Sequence, residues 1–98
     1  MLNHTVLFWL KPSLSADSVK AFQKGLETLK QIPDVESIVV GRPSATDRPV
    51  IDRSYDFGLN VIFKSMEQHD RYQVHAVHKK FLEMFSASWK KVLVYDFE

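Results

Sequence analysis

The stretch SYDFGLNVIFKSMEQHDRYQVHAVHKKF, residues 54–81, changes periodicity partway along, and that change decides the fold. Up to Lys64 the apolar residues alternate: Tyr55, Phe57, Leu59, Val61 and Phe63 share one face of an extended chain, opposite Asp56, Gly58, Asn60 and Ile62. Ser65 followed by Gln68 is a capping-box signature, and it starts a helix at Met66. Helical character runs on to about Trp89, with Val77, Phe81, Met84 and Phe85 as its apolar stripe. A helix of that length is expected to break or kink, and the histidine-rich turn is the place for it.

A strand and helix also come first in the chain. LNHTVLFWLK (2–11) is rich in β-branched and aromatic residues and stops at Pro12. SLSADSVKAFQKGLETLKQI (13–32) reads as a helix with Ser13 or Ser15 as its cap, Val19, Phe22, Leu26 and Leu29 as its apolar face, and Pro33 as its stop. VESIVVG (35–41) is a short strand. It leads into RPSATDRPVIDR (42–53), a loop with two prolines that is long for so small a domain and a candidate flap. KVLVYDF (91–97) is the last strand. The order β-α-β-β-α-β predicts an α+β, ferredoxin-like domain spanning residues 1–98, with a four-stranded antiparallel sheet and both helices on one face.

The other face of such a sheet is polar when it meets water. Here the first strand carries Leu7 and Trp9 opposite Val6, Phe8 and Leu10, and the last carries Leu93, Tyr95 and Phe97 opposite Val92 and Val94. Both faces call for burial, which predicts a homodimer packed sheet to sheet, a dimeric α/β barrel. A chain of 98 residues buries only roughly 60–65% of its unfolded surface, so association also adds needed stability.

Composition removes several classes of function. The formal net charge is +1, from 13 basic and 12 acidic residues, which leaves no electrostatic footprint for nucleic acid or an anionic membrane. No apolar run approaches the ~20 residues of a membrane-spanning helix. Cysteine is absent, excluding disulfides and thiolate chemistry and pointing to the cytoplasm. Three glycines are too few for a phosphate-cradling loop. Trp9 and Trp89 read as core or interface, and Lys79, Lys80, Lys90 and Lys91 as a solvated rim.

The four histidines carry the remaining chemistry. His69, Tyr72, His75 and His78 recur every three residues, but each step rotates about 300°, so on a continuous helix His69 and His78 end about 180° apart. His69 is therefore expected to face solvent, leaving Tyr72, His75 and His78 as a cluster. His4 lies on the strand face turned toward the helices and would form the floor of a cavity beneath that cluster. Such a set suits proton abstraction next to a carbonyl, with a histidine as base and a tyrosine donating to the oxyanion. From spacing alone, helix capping is the plainer reading. A metal site would need His75 and His78 joined by His4 and by Asp96 or Glu83. No local motif fixes that set, and neither metal nor cofactor is expected.

The segments HTVLFWLK (4–11), YDFGLNVIFKSMEQHDRYQVHAVHKKF (55–81) and WKKVLVYDFE (89–98) together resemble the stress-responsive A/B barrel (Dabb) family over essentially the whole chain. The resemblance implies a ferredoxin-like domain that dimerises through its sheets. One plant branch of that family is a cofactor-free polyketide cyclase. Its catalytic pair maps onto Tyr72 and His78, and its first-strand histidine onto His4. His75 and Phe57 would complete the substrate pocket. Phe57 replaces a further pocket histidine of the cyclase, and Ala76 replaces a proline common in the family. The resemblance thus implies a homodimer binding a small apolar carbonyl compound, with two alternatives. One is a non-catalytic stress-response or binding protein; the other is a relative of the cofactor-free monooxygenases and haem-degrading enzymes.

Overall fold

The computed structural model describes residues 1–98. Its elements are β1 (Leu2–Leu10), α1 (Ala16–Thr28), β2 (Ser37–Gly41), β3 (Phe57–Phe63), α2 (Met66–Val74), α3 (Ala76–Phe85) and β4 (Trp89–Phe97). Single turns of 3-10 helix extend α1 over Leu29–Gln31 and α3 over Ser86–Ser88. The strands form one sheet in the order β2-β3-β1-β4, every pair antiparallel. This is the expected ferredoxin-like α+β architecture.

Local chemistry sets the boundaries. Ser15 caps α1 by accepting a hydrogen bond from the Ser18 N–H at 3.1 Å. Ser65 caps α2 by accepting from the Gln68 N–H at 3.3 Å, while the Gln68 carbonyl reaches back to the Lys64 N–H at 2.7 Å. The break in the second helical segment falls at His75. That residue is extended, with φ −64° and ψ 144°, and ends α2 while capping α3. Its Nδ1 accepts from the Val77 N–H at 3.1 Å, so the imidazole satisfies one of the N–H groups that the start of a helix leaves unpaired. The loop between β2 and β3 runs to Asp56, and its far end is tied to β1. Leu10 N–H donates to the Asp56 carboxylate at 2.7 Å, and Trp9 Nε1 donates to Ser54 Oγ at 3.1 Å.

The core lies between the sheet and the helices. Alternate residues of β1 and β3 point inward and are buried: Leu2, His4, Val6, Phe8 and Leu10 from one, Phe57, Leu59, Val61 and Phe63 from the other. They meet Phe22, Leu26 and Leu29 of the first helical segment, Tyr72 of α2 and Phe81 of α3. Phe22 is the hub, its ring 5.2–6.2 Å from those of Phe8, Phe57, Phe81, Phe85 and Trp89. Gly25 allows α1 and α3 to come this close, since a Cβ there would lie 2.4 Å from the Phe85 ring. The helix accepts the propensity cost of about 1 kcal/mol for that contact.

The sheet is covered on one side only. The molecule is 17 Å thick along its short axis, the depth of one sheet and one helical layer. On the outer face, β4 exposes Tyr95 and Phe97 and β2 exposes Val39. Leu7, Trp9 and Leu93 lie half-buried on the same face. Its middle is polar, with Asn60 donating to Thr5 Oγ1 at 2.7 Å. β4 is also an edge strand, and no helix reaches over its inner residues Val92 and Val94, both exposed.

Candidate functional site

The register of β1 against β4 pairs His4 with Asp96, both on the inner face. The ring of His4 is buried and its Nδ1 lies 2.6 Å from Asp96 Oδ1. Above it, Tyr72 of α2 is fully buried, with ring centroids 6.1 Å from His4 and 4.8 Å from His78 on α3. These three side chains line a cavity of about 210 Å³. Gln73 adds one more polar group; Val6, Phe8, Phe81 and Trp89 are among the apolar residues, and Leu82, Val92 and Val94 form the exposed rim beside β4. A mostly apolar cavity with a few converging polar groups is the usual form of a small-molecule site. A larger groove of about 500 Å³ between α1 and α3 has only the exposed lysines Lys24 and Lys80 as titratable groups.

The environments of the polar pair differ in a useful way. Burial pushes the Tyr72 phenol well above its ordinary pKa of 10.0, so it stays protonated and can donate. Burial pulls His78 below its ordinary 6.5, with His4 and His69 nearby adding to the effect. Its imidazole is therefore neutral near pH 7. His78 Nδ1 is buried with no hydrogen-bond partner in the chain. Buried polar atoms are almost always paired, so an unpaired nitrogen on a side chain that lines a cavity is an exception that points to a role for His78 there.

The lowered His78 pKa also sets a stability trend. The unfolded chain takes up the proton near pH 6.5, before the folded chain does, so acid favours unfolding. The His78 contribution is complete above pH 6.5 and falls away as the pH drops through the lower, folded value. Melting temperatures measured from pH 7.5 down to 5.5 should decline in the wild type and decline less in His78→Gln. Parallel curves would show that His78 does not carry the trend.

Other expected residues are placed elsewhere. His75 caps α3 through its ring and is not in the cavity wall. Phe57 is completely buried in the core against Phe22, with the Arg42 guanidinium 4.9 Å above its ring, and does not line the cavity. His69 requires a correction. It does not face solvent: its side chain is only 15% exposed, and its ring lies 5.1 Å from His4 and 5.6 Å from Phe63. The phase count that turned it outward assumed a continuous helix. His69 was placed by its angle to His78, which lies on the separate helix α3; against Tyr72, three residues away on α2 itself, it falls on the inner side. The break expected at the histidine-rich turn was the signal that the count could not be carried across it.

Sheet order, register and one-sided helices define a ferredoxin-like α+β protein. Residues 2–98 match the stress responsive A/B barrel domain, Dabb, and the chain belongs to that family. Among solved structures it is similar to a Dabb family protein with a ferredoxin-like fold from Mesorhizobium loti, with a TM-score of 0.80 and 26% identity over 99% of this chain and 94% of that one. A dimeric ferredoxin-like protein of unknown function from Thermobifida fusca gives a TM-score of 0.80 at 21% identity, covering 98% and 88% of the two chains. The hydroxynitrile lyase of Passiflora edulis gives 0.81 at 18% identity, over 98% and 90%; at that identity the likeness is one of fold. No curated protein matches the sequence. No helix is long and apolar enough to cross a membrane.

Proposed function

We propose that the protein is a cytoplasmic homodimer, joined through the outer faces of its sheets, whose cavity binds a small, mostly apolar carbonyl compound. Tyr72 and His78 form the polar pair that holds it. The reading is carried by one observation: a neutral histidine with an unpaired buried nitrogen sits 4.8 Å from a buried tyrosine in the wall of a mostly apolar cavity. Tyr72 donates a hydrogen bond to the carbonyl oxygen. His78, uncharged, accepts a proton from the adjacent carbon, and the resulting enolate is held by the phenol. When the enolate carbon attacks a second carbonyl of the same molecule, the His78 proton returns to the new alkoxide. The step closes a ring by aldol addition without a cofactor, the ring-forming step of the plant cyclases the sequence resembles. The dimer is supported by the open apolar sheet face and by a relative of the same fold described as dimeric.

A thermal-shift screen of aromatic and aliphatic ketones, esters and thioesters tests the site. Hits should stabilise the wild type and bind His78→Ala and Tyr72→Phe about tenfold more weakly, the loss expected for one hydrogen bond of roughly 1.4 kcal/mol. If every hit stabilised all three proteins equally, the site would be elsewhere. Turnover of a hit by the wild type should fall roughly 10²–10⁴-fold in His78→Ala. Binding without turnover would leave a carrier or sensor.

A further inference from the structure

A second constellation lies beside the cavity and was hidden by the expected orientation of His69. His69 lies on the same side of α2 as the buried Tyr72, three residues on, and there it meets His4 and Asp96. One ligand atom from each of the three lies within 4.8 Å of the others. They come from three separate elements: β1, α2 and β4. We propose that His4, His69 and Asp96 bind a divalent transition metal ion of the zinc type.

The hydrogen bonds around the cluster already prepare its donors. His69 Nδ1 lies 3.1 Å from Asp70 Oδ1, and its Nε2 lies 3.4 Å from the amide nitrogen of Gln73. In the tautomer whose Nδ1–H points to the Asp70 carboxylate, Nε2 carries the lone pair, and the long contact from the Gln73 amide gives way when that lone pair binds an ion. A carboxylate behind one imidazole nitrogen is the arrangement that orients a metal-ligating histidine and raises its basicity. On the opposite side, His4 and Asp96 are already 2.6 Å apart, and an ion bound between them replaces the hydrogen they share.

The donor set selects the class of ion. Two imidazoles and one carboxylate suit zinc, iron, cobalt, nickel or copper, while magnesium and calcium require more oxygen donors. Bonds of about 2.0–2.2 Å place the donors of a tetrahedral ion roughly 3.4 Å apart. A separation as wide as 4.8 Å must therefore close by roughly 1.4 Å while the His4–Asp96 pair, at 2.6 Å, opens by roughly 0.8 Å, adjustments within the reach of side-chain rotation at the partly buried His69 and the exposed Asp96. Three protein ligands leave at least one position open. Because His4 belongs both to this set and to the cavity wall, the ion would stand at the cavity's margin. The ligands differ from the His75–His78 pair suggested by sequence spacing. The site shares His4 with the cavity wall but does not use Tyr72 or His78, so it can be tested separately from the carbonyl-binding reading.

The test uses untagged protein stripped with a chelator and dialysed into chelator-free buffer. Cobalt chloride is titrated and followed by its visible absorption, then displaced with zinc chloride. The expected result is saturation at one ion per chain, displacement by zinc, and no competition from an equal concentration of magnesium. His69→Leu and Asp96→Asn should each weaken binding at least tenfold while melting like the wild type without metal. His75→Ala and His78→Gln should bind as the wild type does. The proposal is overturned if cobalt and zinc do not bind saturably, or if His69→Leu and Asp96→Asn leave the affinity unchanged. Loss of the site in His75→Ala with retention in His69→Leu would assign the ion to the histidine turn instead and overturn it equally.

Discussion

Leu93→Asp combined with Tyr95→Asp is expected to convert the protein from dimer to monomer. Both residues lie on the outer face of β4, where register pairs them with Leu7 and Thr5 of β1, and neither belongs to the core beneath the sheet. In a two-fold interface each substitution is present twice, so four carboxylates enter one buried patch. An unpaired charge buried from water costs several kcal/mol, and every 1.4 kcal/mol is tenfold in affinity. A dissociation constant raised at least ~10³-fold follows. By analytical ultracentrifugation at micromolar concentration, the wild type should sediment at twice the 11.4 kDa chain mass and the variant at the single-chain mass. Met84→Asp places a carboxylate on the exposed helical layer and should leave the dimer intact. A monomeric wild type would remove the proposed interface, and a variant that stayed dimeric would move it to another surface.

Phe22→Ala should be the most damaging single substitution in the core. Phe22 is fully buried, and its ring meets four other aromatic rings within 6 Å: Phe8, Phe57, Phe81 and Phe85. It joins α1 to both central strands and to α3. Truncating a buried phenylalanine costs about 3–5 kcal/mol, from lost burial and the cavity left behind. A domain of this size has on the order of 5–15 kcal/mol in total. The melting temperature should fall by roughly 12–40 °C, taking about 4–8 °C per kcal/mol for a domain of this length. Phe22→Leu keeps most of the apolar volume and should recover much of the loss. A small shift in Phe22→Ala would mean that the aromatic cluster closes over the gap, and that rigid packing there is not what holds α1 to the sheet. Both measurements belong at one fixed protein concentration, because the proposed dimerisation would add to apparent stability.

Most of the architecture is legible in residue order. Alternation in 55–63 and 4–10 marks strands, Ser65 and Gln68 mark a helix start, and the apolar residues of 19–29 mark a helix that packs on a sheet. These signals are local, acting within one turn or one pair of residues. The meeting of His4 with Tyr72 and His78 was also within reach, because it needs only the inner face of β1 and the inner side of the helices. The roles of His75 and Phe57 were not. A histidine at a helix break can cap with its ring, and a phenylalanine on an inner strand face can lie deep in the core or at a cavity wall. Neighbours from other elements decide between those outcomes.

The sequence by itself determined the order of strands and helices, the two-sided apolar character of the sheet, and the presence of one tyrosine and three histidines around a helix break. Periodicity and capping are properties of the chain over a few residues, and they survive without knowledge of the rest. Only the tertiary structure decided where those side chains point. The extended conformation at His75 restarts the helical phase, bringing His78 of α3 to the same side as Tyr72 and His69 of α2. One backbone torsion, ψ of 144° where a helix needs about −42°, decides whether His78 meets Tyr72 or turns away from it.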